Sequence, residues 1–231
     1  MKKRLLAALL AACLTLAPMT ALAAVSAPGT SDNTQSEEEK AWAEKRQQDM
    51  NRLLWFGWIY QRYAPIPFTD VPNGSWYYPG ICYAWQNLLM SGVSDSSFAP
   101  MEPTTRAMVW TVLARMGGAS VQEGEGEWYE PGAAWAVSQG LTDGTDPMGG
   151  ITRECLAEIL WKRAGSPLVQ ADLSAFSDSG SVSAYAENAV RWAVNRGVLC
   201  GSDGQLSPQG GVTRAELAAM VMRCASDIRS A

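Results

Sequence analysis

The chain has 231 residues, 47% hydrophobic and 18% charged, enough apolar material to fill the core of one or two ordinary domains. A formal net charge of −5 argues against nucleic acid as a partner, because duplex binding requires a basic face. The sequence has no histidine to act as a general base or complete a zinc site, and its five cysteines show no C-x-x-C spacing.

At the N-terminus, Met1-Lys2-Lys3-Arg4, an apolar run from Leu5 to Leu16 and Ala21-Leu22-Ala23 read as a secretory signal peptide over residues 1–23. The run is too short to span a bilayer, and cleavage is expected after Ala23 or Ala24. A competing reading takes Leu10-Ala11-Ala12-Cys13 as a lipoprotein box, although few residues precede Cys13. Loss of Lys2, Lys3 and Arg4 leaves a mature charge of about −8. No later stretch is long and apolar enough to anchor the mature chain, so the expectation is an exported, soluble protein.

Residues 24–35, rich in Ser, Ala, Pro, Gly and Thr, read as a disordered lead. Ser36 and Glu39 are spaced as a capping box, which predicts an amphipathic helix over residues 36–64 that stops before Pro65. Its first half is charged and its second carries Leu53, Leu54, Trp55, Phe56, Trp58 and Ile59. That apolar load is expected to dock on the rest of the chain; a partner helix or a membrane surface is the alternative use.

Beyond residue 67 one pattern recurs over residues 68–117, 127–165 and 176–225. Phe68-Thr69-Asp70 opens the first copy and Phe176-Ser177-Asp178 the third. Aromatic pairs seven apart follow, Trp76 with Tyr83, Trp128 with Trp135 and Tyr185 with Trp192, a spacing that puts both rings on one helix face. Gly140 and Gly197 predict left-handed helix ends, with Leu88 at the matching place. Four residues further on, Gly92, Gly144 and Gly201 align and turn-rich loops follow. Each copy then starts a second helix at Thr105-Arg106, Thr152-Arg153 or Thr213-Arg214. Thr213 and Glu216 form a full capping box; Met108 replaces the Glu in the first copy, and in the second Glu154 stands one place early, with Cys155 where the Glu belongs. A cation in the first turn opposes the helix dipole, and an anionic ligand is one reason to keep it there. One helix-loop-helix copy has too little core to stand alone. The expected fold is therefore all-α, three such copies packed about a pseudo-threefold axis with one groove per junction.

The order F-x-D-V, W-Y, helical aromatic, Gly-turn, F-x-P, T-R-A-E resembles the S-layer homology domain from Phe68 to the C-terminus, in three tandem copies. That resemblance implies a secreted cell-wall anchor that binds secondary cell-wall polysaccharide non-covalently, often through a pyruvylated amino-sugar, with no cofactor. Carried over, Arg106, Arg153 and Arg214 become carboxylate ligands, since a guanidinium offers a planar fork and the first-turn amides add donors. Gly92, Gly144 and Gly201 would let the loop approach a sugar ring, and Trp76, Trp128 and Tyr185 would stack on it. Thr213 and Glu216 complete the site. The third groove is expected to be best formed and the second, with its shortened loop, the least.

Simpler readings stand beside these. Each arginine also suits a bridge to Asp70, Asp178 or another acidic residue between copies, although recurrence at the same helix start favours a ligand, and Trp76, Trp128 and Trp135 at helical spacing read first as packing. Asp70 and Asp178 suit bonds to local amides. Cys82, Cys155, Cys200 and Cys224 read as buried thiols, with Cys200–Cys224 the pair to test for a disulfide. No G-x-S-x-G elbow is present, and the copies leave no room for a catalytic domain. The alternative function is a secreted adaptor whose residue 36–64 helix recruits a protein partner.

Overall fold

A computed structural model describes residues 65–121 and 126–229. The signal peptide, the lead and the amphipathic helix expected over residues 36–64 lie outside the described residues. Six α-helices follow: α1 (Tyr78–Gln86), α2 (Arg106–Met116), α3 (Glu130–Ser138), α4 (Arg153–Arg163), α5 (Glu187–Asn195) and α6 (Arg214–Arg229). A 3-10 turn, Ser179–Ser181, precedes α5. The described residues contain no β-strand, only isolated bridges, and the fold is all-α. None of these helices is long and apolar enough to cross a membrane.

The starts of α2, α4 and α6 follow from the threonine caps. Thr105 Oγ1 accepts from the Met108 amide and Thr152 Oγ1 from the Cys155 amide, each at 3.3 Å. At α6 the box is reciprocal: the Glu216 amide donates to Thr213 Oγ1 at 3.3 Å, and the Thr213 amide to Glu216 Oε2 at 2.8 Å. Such a cap contributes about 1 kcal/mol.

The first helix of each copy starts later than the aromatic spacing predicts. Pro79 and Pro131 occupy the first turns of α1 and α3, where a missing N–H is tolerated and backward extension is blocked. Trp76 and Trp128 therefore sit in the turns ahead of α1 and α3, and Tyr185 likewise precedes α5. They do not share a helix face with Tyr83, Trp135 and Trp192. The packing-first reading fits Trp135, which is half-buried against the core, but is corrected for Trp76, whose residue is 49% exposed, and for Trp128 at 38%. The expected left-handed helix ends are present at Gly140 (φ +67°) and Gly197 (φ +65°), and Leu88 takes the same conformation at φ +58°.

Helix pairing crosses the copies. α1 packs on α6, α2 on α3 and α4 on α5, so the first helix of each copy lies against the second helix of another. Gly80 permits the first pairing: a Cβ there would stand 2.7 Å from the Ala219 backbone. Trp110, Trp192, Phe98, Leu113, Leu160 and Leu217 are fully buried in one continuous core. Each such side chain contributes about 1.5–3 kcal/mol relative to exposure. The three segments ahead of α2, α4 and α6 are joined by antiparallel bridges, Pro103 with Thr213, Thr105 with Gly150 and Thr152 with Gly211, which close a ring.

The four cysteines among the described residues are all free thiols. Cys82 and Cys224 are buried and Cys155 half-buried, as buried thiols should be, but Cys200 is exposed. Cys200 and Cys224 are not joined. The exposure follows from position: Cys200 stands in the loop after Gly197, where its Sγ accepts from Arg223 Nη1 at 3.3 Å.

Candidate functional site

Arg106, Arg153 and Arg214 are each the first residue of their helices, as the caps require. The amides beside them are not open to an anion. Arg106 and Ala107 donate to the Gly149 and Pro147 carbonyls, Arg153 and Glu154 to Gly210 and Pro208, Arg214 and Ala215 to Glu102 and Pro100, all at 2.8–3.0 Å. The third amide of each turn goes to the threonine cap. Thus the expectation that these amides add donors to a ligand is corrected: each helix start is seated in a proline loop of another copy, which satisfies the orphan donors.

The arginine side chains follow the same route. Arg214 Nε donates to the Phe98 carbonyl at 3.0 Å and Nη2 to that of Ser91 at 2.7 Å, with the guanidinium 4.6 Å over the Phe98 ring. Arg214 is 8% exposed. Arg153 Nε donates to the Leu206 carbonyl and Nη2 to that of Cys200, both at 2.9 Å, and Nη1 pairs with Glu216 Oε1. Neither bridges Asp70 or Asp178, but the Arg153–Glu216 pair is the expected bridge to another acidic residue between copies. Those aspartates hold the loops instead. Asp70 accepts from the Phe98 and Ala99 amides and Ser97 Oγ; burial pushes its carboxyl up, but these bonds outweigh it and hold it below 3.8. Asp178 accepts from the Leu206 and Ser207 amides, and the Leu206 bond foremost holds it below the same value.

Loop and arginine therefore meet between copies, not within one. Gly201 stands with Arg153 and Gly92 with Arg214. A hollow of about 560 Å³ is lined by Trp76, Arg153, Cys200, Gly201, Glu216, Met220 and Arg223 among others. A second, of about 210 Å³, is lined by Ser91, Gly92, Met108, Arg115, Trp128 and Arg214 among others. Ligand sites usually occupy about 300–1,000 Å³, so only the first is sized for a whole small ligand. The larger of these two hollows thus joins the loop of the third copy to the arginine of the second. Gly92 and Gly201 have a packing reason as well: a Cβ would lie 2.4 Å from the Phe68 ring in one and 2.5 Å from the Phe176 ring in the other.

The remaining expected residues line neither hollow. Gly144 is left-handed (φ +79°), unlike Gly92 and Gly201, because its shortened loop is held locally by Asp143, which accepts from the Thr145 amide and hydroxyl. Arg106 faces that loop with a buried Nε that has no hydrogen-bond partner. Thr213 is committed to the cap. Tyr185 is 56% exposed, yet its hydroxyl donates to Glu154 Oε1 at 3.0 Å. Glu154 is buried and also accepts from the Ser183 amide and hydroxyl and from Gln209 Nε2. Burial works against its charge, but the four bonds outweigh burial and hold it below 4.5. Its one-place shift in sequence thus has a structural use.

Two residues in the hollows were passed over by the sequence reading. Arg115 and Arg223 stand nine residues after Arg106 and Arg214, and Lys162 nine after Arg153. Arg115 Nη1 donates to the Leu89 carbonyl at 3.0 Å and Arg223 Nη1 to the matching Val198 carbonyl at 3.4 Å, whereas Lys162 pairs with Glu158 one turn back. Aligning the copies beyond the T-R-A-E signature would have found this second column of cations.

The family model of the S-layer homology domain matches residues 67–107 and 175–218. An endoglucanase of Bacillus sp. (strain KSM-635) is 27% identical over 177 residues, 68% of this chain and 18% of that protein. The exoglucanase XynX of Acetivibrio thermocellus is 25% identical over 174 residues, 68% of this chain and 16% of the relative. The surface-layer 125 kDa protein of Lysinibacillus sphaericus is 25% identical over 167 residues, 71% and 10% respectively. The chain spans less than a fifth of the length of each. The first matched segment carries Phe68, Asp70, Trp76 and Gly92, and the second Asp178, Gly201, Arg214 and Glu216, which belong to the two hollows and the loops beside them, whereas Arg153 lies between the matched segments. On these two segments the chain carries the S-layer homology domain.

Proposed function

We propose that this chain is a non-catalytic wall-anchoring module that holds anionic secondary cell-wall polysaccharide in the hollows between its copies, counting residues 127–165 as a third, shortened copy. The observation that carries the reading is the 560 Å³ hollow, in which Trp76, Arg153 and Gly201 converge from three different copies. Trp76 offers an exposed ring to the apolar face of a sugar, and loop carbonyls and the Ser202 and Gln205 side chains offer polar contacts. The ligand class, with a pyruvylated amino-sugar as the leading candidate, follows from the family resemblance, and attachment to the cell-wall surface follows from the matched domain. Within the hollow, Arg153 shapes the wall by holding the Leu206 and Cys200 carbonyls, and Arg214 does so in the smaller hollow.

Co-sedimentation with purified wall sacculi tests this. Trp76→Ala and Arg153→Ala should each weaken binding, by on the order of 1–3 kcal/mol. Arg214→Ala should lower the melting temperature as well, since it takes the donor from the buried Phe98 carbonyl and from that of Ser91. Full binding by the Trp76→Ala and Arg153→Ala double variant would refute the assignment of the larger hollow.

A further inference from the structure

The arginine that opens each second helix has little left to offer a ligand. All three nitrogens of Arg153 are used, on Leu206, Cys200 and Glu216, and Arg214 is nearly enclosed by Phe98 and Ser91. Arg223, in the same hollow as Arg153, differs. Among the described residues only its Nη1 is engaged, by the long contact to the Val198 carbonyl and the Cys200 thiol, and it has no carboxylate partner there. It is half-buried, and an unpaired guanidinium in such a place favours an incoming anion. Arg115 repeats the arrangement in the smaller hollow, with one bond to the Leu89 carbonyl.

We propose that Arg223, and not Arg153, is the group that meets the negative charge of the ligand in the larger hollow, so that the N-terminal arginines build the hollows and the arginines nine residues later read the anion. The inference rests on the wall-glycan reading and deepens it. The charged side chains lining the larger hollow are Arg153, Arg223 and Glu216, and the Arg153–Glu216 pair cancels. A single unopposed positive charge selects a sugar unit bearing one negative charge, a carboxylate or a phosphodiester. The second copy, whose matching Lys162 is already paired with Glu158, contributes no such reader.

The test uses the full chain and purified wall sacculi of the producing organism, native and after carbodiimide amidation, which neutralises carboxylates and leaves phosphodiesters charged. Arg223→Gln should bind native sacculi about tenfold more weakly than the unaltered chain, with an unchanged melting temperature, and Arg223→Lys should recover most of the loss. If the unaltered chain loses binding on amidated sacculi, the anion is a carboxylate; if it keeps binding and Arg223→Gln still weakens it, a phosphodiester. Arg223→Gln binding native sacculi within twofold of the unaltered chain would overturn the proposal while leaving the wall-glycan reading intact. Equal losses in the Gln and Lys variants with a lowered melting temperature would also overturn it, by reducing Arg223 to a support for Val198. An unaltered chain that ignores native sacculi would instead refute the reading itself.

Discussion

Tyr185 donates its hydroxyl to Glu154 across 31 residues of sequence, at 3.0 Å, and so joins the start of α4 to the turn ahead of α5. With Ser183 and Gln209 on the same carboxylate, the contact makes Glu154 a buried acceptor with its donors supplied. Glu154→Gln should destabilise the fold by about 1–3 kcal/mol at neutral pH. The pH dependence has a defined sign. The folded-state pKa lies below 4.5, so the carboxylate's contribution is present above that value and is lost as pH falls through the folded one. Thermal melts of the Gln variant should therefore lose part of the acid dependence shown by the unaltered chain below pH 4.5.

Two substitutions should stabilise. Thr104 is buried and its hydroxyl has no partner, whereas Ile151 and Val212 hold the matching places ahead of α4 and α6. Thr104→Val removes an unsatisfied polar atom without changing shape and should add about 1 kcal/mol, as Thr105→Val at the adjacent cap should not. Leu88 is exposed in a left-handed conformation, and Leu88→Gly should add about 0.5–1 kcal/mol. Denaturant midpoints measured at constant slope check both.

Cys200 should be the first thiol to react with a maleimide. It is exposed, whereas burial pushes Cys82 and Cys155 up and Cys224 up to about 12. Mass spectrometry of the native chain should find one rapid adduct among the four described cysteines, lost in Cys200→Ser. Because Cys200 lines the larger hollow, bound sacculi should slow its labelling. Equal labelling with and without sacculi would place the ligand elsewhere.

Moderate salt should leave sacculus binding nearly unchanged. Long-range repulsion between an acidic chain and an anionic glycan is screened over about 8 Å at physiological ionic strength, while contacts inside a hollow are screened less. A titration from low to high salt measures this, and a steep fall, as for basic polyanion binders, would contradict the geometry.

The caps were legible because a threonine followed by an arginine describes local chemistry at each helix start, completed by a glutamate three places on only at α6, and α2, α4 and α6 begin where those residues put them. The later starts of α1 and α3 were legible only through Pro79 and Pro131, which the seven-residue aromatic spacing obscured. What sequence spacing could not convey was partnership. Arg153 and Gly201 are 48 positions apart, and nothing local shows that the arginine of one copy serves the loop of the next. The arginine forks looked available because their acceptors are carbonyls, and backbone acceptors carry no sequence signature. Glu154 looked like a displaced cap for the same kind of reason, since its donors come from residues 29 to 55 positions away.

Helix α6 gives Arg214 to one hollow and Glu216 and Arg223 to the other. Loss of this helix would therefore strip side chains from both hollows at once. On the wall-glycan reading proposed above, a cut just ahead of residue 214 would loosen both hollows together, yet Val212 is buried and Gly211 and Thr213 are bridged to Thr152 and Pro103, so the folded chain shields the segment whose cleavage would undo both.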